Sequence, residues 1–325
     1  MEDVDACPYC GSHSRQAVDH DIRDWYYRSS AQRWSYWHCM ACSSLFLDPR
    51  PCASFVGKAY ANYYTHEVKP AGWREAFKHR LRNECYSHWL NADFGPRLNL
   101  PRLIPALFDS LRDKVQIPFG LEVICRVPPG SILDVGCGSG RILSLARQVG
   151  WQATGVEFDP GAVAAARENG LNVIEGDYRT LATFSQRYDL VICSHVIEHV
   201  DNPLLLLELL AGAVSDNGVL ALSFPNAQSH LRKRYHGYWR GYEAPRHLSI
   251  PAASWVDDWL RDRFVNVVRA QQKFDTRAES DALLATIKPD GLLDFEQKEF
   301  SSSDINSADL VGFVCSSGPL PPILT

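Results

Sequence analysis

The sequence predicts a doubly wound α/β fold, with a seven-stranded Rossmann-like sheet preceded by a small cysteine-rich lobe and a helical cap. Three observations predict it. From Ser131 onward short β-rich runs alternate with helical stretches, the signature of a parallel sheet covered on both faces. The first of those runs, "SILDV", enters the glycine-rich turn Gly136-Cys137-Gly138-Ser139-Gly140. Near the N-terminus stand two CxxC pairs, Cys7/Cys10 and Cys39/Cys42.

In chain order, residues 1–65 form the cysteine lobe, 66–127 a helical cap or linker and 128–325 the α/β domain. The two CxxC pairs place four thiolates for one tetrahedral ion, a closed site that suits structural Zn2+ and leaves no open position for catalysis. The middle region is helical over "WREAFKHRLRNECYSHWL" and is then broken by Pro96, Pro101, Pro105 and Pro118. The predicted strands of the last region are 131–135, 152–158, 171–177, 188–194, 218–224, 265–270 and 310–315. A helix is expected over 253–260, and residues 271–308 read as loop with one helix.

Composition bounds the function. The 325 residues are 46 % hydrophobic and 22 % charged, with a net charge of −5, so no global attraction to nucleic-acid phosphate or anionic lipid is expected. The apolar run from Pro203 is interrupted by Glu208 and is too short to span a bilayer. The acidic start has no apolar signal core, so a cytoplasmic location is expected.

The glycine turn decides the ligand. A dinucleotide fingerprint needs GxGxxG, whereas Arg141 stands where the third glycine would fall. Asp134, just before the turn, would repel a pyrophosphate and tolerate a ligand bearing cationic groups. Glu157 ends the second strand, where a carboxylate can take both hydroxyls of a ribose. Phe158 follows and can lie along an adenine face. Asp177, beside Tyr178, ends the third and can accept from an adenine amino group.

"LDVGCGSGRIL", "GVEFDP", "EGDY" and "YDLVICSHVIEHV", in this order and spacing, resemble the class I S-adenosylmethionine-dependent methyltransferases over roughly residues 128–315. The resemblance implies S-adenosyl-L-methionine as cofactor. It implies that Asp134, Gly136, Cys137, Gly138 and Gly140 shape the methionine end of the pocket, with Glu157 and Phe158 at the ribose and adenine. Asp177 and Tyr178 would close the adenine end, Ser194 and His195 belong to the expected cofactor site, and His195 and Glu198 would line the floor. The CxxC pairs followed by "LFLDPRP" and "AYANYYTH" are similar to bacterial sugar and small-metabolite methyltransferases with an N-terminal zinc ribbon, so the expected partner is a small-molecule acceptor such as a nucleotide sugar or glycan. Within that set, deoxysugar C-methyltransferases show a histidine after the fourth strand and a Glu-His pair after the fifth. Here the places read His199 and Arg246-His247, which favours oxygen over carbon as acceptor. His199 and His247 are the candidate bases, Arg246 a candidate clamp for a substrate phosphate or carboxylate, and Tyr63 and Tyr64 would close over the substrate. Two other readings stand beside this one: an RNA methyltransferase gripping RNA with aromatics around Trp34–Trp37, and a non-catalytic binding module of methyltransferase fold.

Overall fold

The computed structural model describes residues 1–52, 55, 72–98, 108, 111–112, 114–271, 276–287 and 308–320. The expected cap residues Tyr63 and Tyr64 lie outside the described residues. The chain divides into two compact units, one of residues 1–63, 193–211 and 222–315, the other of 64–192, 212–221 and 316–325.

The strands are β1 (Arg15–Ile22), β2 (Trp34–Cys39), β3 (Leu45–Leu47), β4 (Ser131–Val135), β5 (Gln152–Glu157), β6 (Asn172–Glu175), β7 (Tyr188–Ser194), β8 (Val214–Pro225), β9 (Ser249–Ile250), β10 (Asn266–Gln271) and β11 (Leu310–Ser316). The helices are α1 (Trp73–Leu90), α2 (Leu121–Arg126), α3 (Arg141–Gln148), α4 (Pro160–Glu168), α5 (Pro203–Ala213), α6 (His230–Tyr235), α7 (Ala253–Arg261) and α8 (Arg277–Ile287). A seven-stranded sheet has the order β10-β11-β8-β7-β4-β5-β6, and a four-stranded sheet the order β1-β2-β3-β9. The expected seven-stranded α/β fold is therefore present. The last strand in the chain inserts between β10 and β8, an order that alternation alone does not dictate.

In the second unit β4, β5 and β6 run parallel, with Asp134 paired to Gly155 and Glu157 to Glu175. Ile132, Leu133 and Val135 are buried, as a strand covered on both faces requires. Helices α3 and α4 pack Leu143, Val163 and Ala166 against Leu171, Val173 and Cys137. Helix α4 starts where Asp159 Oδ1 accepts from the Ala162 N–H (2.7 Å), with Pro160 at its first position. The Trp151 indole donates to the Ile124 carbonyl (3.0 Å) and ties β5 to α2.

In the first unit β1 to β3 form an antiparallel meander, and β9 joins it as the fourth strand. Trp34, Tyr36, Leu45, Leu47 and Ile250 share one buried cluster with Tyr235, Trp239 and Tyr242. Each such side chain removed from water contributes about 1.5–3 kcal/mol, so the meander is held by its contacts with residues 227–252. Among the described residues, no helix is long and apolar enough to cross a membrane.

Candidate active site and metal centre

The glycine loop of the second unit is built to be narrow. Gly136, Gly138 and Gly140 have φ of 74°, 53° and 82°, a region that costs side-chain-bearing residues strain. A Cβ at Gly140 would stand 2.3 Å from the Leu171 side chain, whereas one at Gly138 would meet nothing within 4 Å. The turn is therefore closed on the helix side and open over Gly138. Glu157 fastens it: Oε2 accepts from the Gly138 N–H (2.8 Å) and Oε1 from the Asp159 N–H (2.9 Å). Burial, reinforced by the Glu157 charge, pushes the Asp134 carboxyl up to about 8. The Glu157 carboxylate, with the largely protonated Asp134 beside it, thus sits behind a glycine turn that is open over Gly138.

The other predicted cofactor residues have definite places. Cys137 buries its side chain in the core cluster, leaving its backbone on the loop. Phe158 is half exposed. Asp177 caps the short 3-10 helix Tyr178–Thr183, accepting from the Arg179 N–H (2.9 Å) and pairing with the Arg179 guanidinium (2.8 Å). Tyr178 is buried beneath that guanidinium.

In the first unit Ser194 Oγ is hydrogen-bonded to Ser223 Oγ (2.8 Å), and His195 adopts a left-handed φ of 56°. His195 Nδ1 donates to Glu198 Oε1 (3.2 Å). Burial opposes charge on this ring, but the Glu198 carboxylate raises its pKa overall.

His199 and His247 lie together, with ring centroids 4.6 Å apart at 79°. His199 Nδ1 donates to the Arg246 carbonyl (3.2 Å) and His247 Nδ1 to the Gly241 carbonyl (2.7 Å). In the neutral ring each such bond fixes the Nδ1–H tautomer and makes Nε2 the proton acceptor. Burial first, then the neighbouring His199, lowers His247 to about 4. Glu198, fully buried beside them, has Oε2 without a hydrogen-bond partner. Donor atoms of Glu198, His199 and His247 lie within 4.8 Å of one another, a spacing that serves proton transfer and would also hold a divalent cation.

Two features of this cluster escape sequence reading. Glu243 puts Oε2 3.9 Å from His247 Nε2, so a carboxylate absent at position 246 is supplied four residues before the histidine. Burial would lift the Glu243 carboxyl, yet His247, Arg240 and other cations hold it at about 2. The i, i+4 spacing in "EAPRH" was its one local signal. Arg246 is the second feature, and a correction. Its guanidinium is fully buried, bonded to Asp24 (2.8 and 3.2 Å) and Glu243 (3.2 Å), and lies over the Tyr27 ring. It is occupied by protein carboxylates and is not presented to a substrate anion.

The four cysteines converge. Cys7 Sγ lies 3.6 Å from Cys42 Sγ and Cys10 Sγ 3.5 Å from Cys39 Sγ, with all four within 4.8 Å. A tetrahedral ion with bonds of about 2.3 Å needs sulfurs about 3.8 Å apart, so the donor set fits zinc. Hydrogen bonding between Cys7 and Cys42 lowers the Cys42 thiol, with help from Ser44, and raises that of Cys7, so the two share one proton in the absence of a metal.

The aromatics offered as an RNA grip are engaged within the protein. Trp34 and Tyr36 are buried, and Trp37 is covered by Arg15, itself paired with Asp48 (2.6 Å). The segment "LRKRYHGYWR", 231–240, is rich in basic residues, and within it Arg232 and Arg240 turn to Asp19 and Glu243.

Comparison with known proteins finds methyltransferases. The chain is 30 % identical over 147 residues to a ubiquinone biosynthesis O-methyltransferase of Xanthomonas campestris pv. campestris, covering 43 % of this chain and 57 % of that protein. A protein of the same name from Actinobacillus pleuropneumoniae is 29 % identical over 150 residues, covering 42 % and 58 %. The chain thus spans little more than half the length of these curated relatives. Among solved structures, a SAM-dependent methyltransferase from Archaeoglobus fulgidus aligns with a TM-score of 0.43 at 19 % identity, over 57 % of this chain and 86 % of that one. The plantazolicin methyltransferase BpumL in complex with SAH aligns at 0.41 and 15 % identity, over 75 % and 98 %. The model of a methyltransferase domain matches residues 100–268, more than half of the sequence, and the chain belongs to that family.

Proposed function

We propose that this chain methylates an oxygen of a small, sugar-like acceptor, with S-adenosylmethionine as donor and His199 and His247 taking the acceptor proton. The observation that carries the reading is the glycine turn closed onto the Glu157 carboxylate and open over Gly138, with a negative group where a pyrophosphate would need positive potential. When bound, S-adenosylmethionine supplies a methyl group on a sulfonium, and its transfer needs little beyond alignment and a base. Asp134 would face the cationic end of that ligand and Glu157 its ribose hydroxyls. His247, neutral near pH 7 with Nδ1 held by Gly241, offers Nε2 to the leaving proton. Glu243 and Glu198 stabilise the imidazolium that results.

The curated relatives are named O-methyltransferases, which supports oxygen as acceptor. The sugar class rests on the likeness of the N-terminal lobe to zinc-ribbon sugar methyltransferases. Carbon methylation remains as a second reading, because Glu243 restores the carboxylate beside His247. The two separate by deuterium uptake into acceptor C–H bonds, expected only for a carbon acid.

Calorimetric titration with S-adenosylhomocysteine and, in parallel, NAD tests the donor. Micromolar binding of the first alone is expected, weakened about 10- to 150-fold in Glu157→Ala by loss of hydrogen bonds to a charged group. Binding of NAD alone, or of neither, sinks the reading. In a screen that begins with nucleotide sugars, His199→Ala and His247→Ala should each lower turnover by about 10² to 10⁴ while leaving cofactor affinity intact. Near-full turnover in both variants would exclude the proton-transfer scheme.

A further inference from the structure

The cysteine lobe grips the histidine-bearing turn residue by residue. Tyr36, on β2 between the two cysteine pairs, directs its hydroxyl proton between the carbonyl oxygens of His247 (2.5 Å) and Tyr242 (2.8 Å). Its ring stacks on Tyr242, with centroids 4.5 Å apart. One of these carbonyls is that of His247 itself and the other directly follows Gly241, whose carbonyl accepts from His247 Nδ1. Past the histidine, the Leu47 N–H donates to the Leu248 carbonyl (2.9 Å), and Phe46 and Leu45 pair with Ser249 and Ile250. Tyr9, inside the first CxxC, is hydrogen-bonded through Oη to Ser249 Oγ (2.9 Å). Asp24 holds Arg246 and Asp19 accepts from the Tyr242 hydroxyl. Residues 242 and 246–250 thus each find a partner among the first 47 residues of the chain.

We infer that the cysteine lobe is a positioning device for His247, with Tyr36 as the positioning residue that sets the place and tautomer of its ring. This rests on the reading of His247 as a base for its significance, but its geometry does not. A lobe that served as a grip for a separate partner would present its central aromatics to solvent, whereas Tyr36 and Trp34 are spent inward. Without the Tyr36 hydroxyl both carbonyls lose their shared donor, and Gly241 and His247 are no longer held at one separation. The charged and titratable groups around the ring, Glu243, Glu198, His199 and Arg246, then lose their fixed distances to it as well.

The test is nitrogen NMR of histidine-labelled full-length protein, with the His247 signal assigned by its loss in His247→Gln. The wild-type ring should show a protonated Nδ1 and a bare Nε2. In Tyr36→Phe the signal should move toward the mixed tautomers of a solvated imidazole, and amide exchange over residues 242–250 should rise tenfold or more, while S-adenosylhomocysteine affinity stays within twofold. Retention of the Nδ1–H signature and of the exchange protection overturns the inference. Should Tyr36→Phe fail to fold, Tyr9→Phe, which removes the bond to Ser249 alone, is read by the same two signals, and unchanged protection is again the overturning result. Turnover of His247→Gln judges the base separately, so either idea can fail without the other.

Discussion

Asp134 and Arg246 show how a buried charge reports its role. Asp134 is held near 8 by burial and by Glu157, so between the unfolded value near 3.9 and about 8 the native state binds a proton that the unfolded state has released. Stability of the ligand-free protein therefore falls as pH rises through that window. Asp134→Asn removes the dependence: its melting temperature should exceed wild type at pH 8 and converge with it near pH 4. An unchanged difference across this range would show that Asp134 is ionised at little cost. Arg246 is the opposite case, a buried cation fully paired with Asp24 and Glu243. Arg246→Ala leaves both carboxylates buried without it and should cost about 3–5 kcal/mol in urea unfolding. A residue kept for a substrate anion would instead lower acceptor affinity with little loss of stability.

At the scale of elements, β4 and β5 meet where Gly155 leaves room for Cys137. A Cβ at Gly155 would stand 2.5 Å from Cys137 Sγ and 2.7 Å from Leu143 Cδ1. Gly155→Ala should therefore destabilise by about 1–3 kcal/mol through overpacking. Adding Cys137→Ala should recover part of that loss, a positive coupling that denaturant melts of the four variants measure. This region was legible in the sequence because its causes are local: alternating hydrophobic runs, glycines in a turn, a capping aspartate before Pro160. The histidine cluster was legible only in part. His199 and His247 announce themselves by following predicted strands. The burial of Arg246 depends on Asp24, 222 residues away, and no periodicity carries that information. The fourth strand of the small sheet, two residues long at Ser249–Ile250, is likewise created by its partner β3 more than by its own pattern. Glu243 was hidden for a related reason: a turn, and not sequence adjacency, brings it to His247.

Across the whole molecule, two chemistries are kept apart in sequence and tested apart in solution: a four-thiolate centre in the first unit and a glycine-loop pocket in the second. A structural zinc ion contributes its binding free energy to folding, on the order of 10 kcal/mol or more in small zinc domains. The meander ends in the three-residue β3, and its cysteine knuckles are tight turns closed by bonds such as Gly11 N–H to the Cys7 carbonyl (2.9 Å) and Ser43 N–H to the Cys39 carbonyl (2.9 Å). Cys10 is the exposed member of the four and offers a chelator its point of attack. Elemental analysis should find about one zinc per chain. Stripping it should lower the melting temperature and raise amide exchange first over residues 7–50, before β4 to β6 respond. Over the same treatment S-adenosylhomocysteine titration reads the glycine loop, whose proposed ligand-binding groups, Asp134, Gly138 and Glu157, lie outside the unit that holds the four cysteines. If chelated protein is zinc-free and melts as before, with exchange over 7–50 unchanged, the four cysteines are free thiols and the lobe folds without a metal.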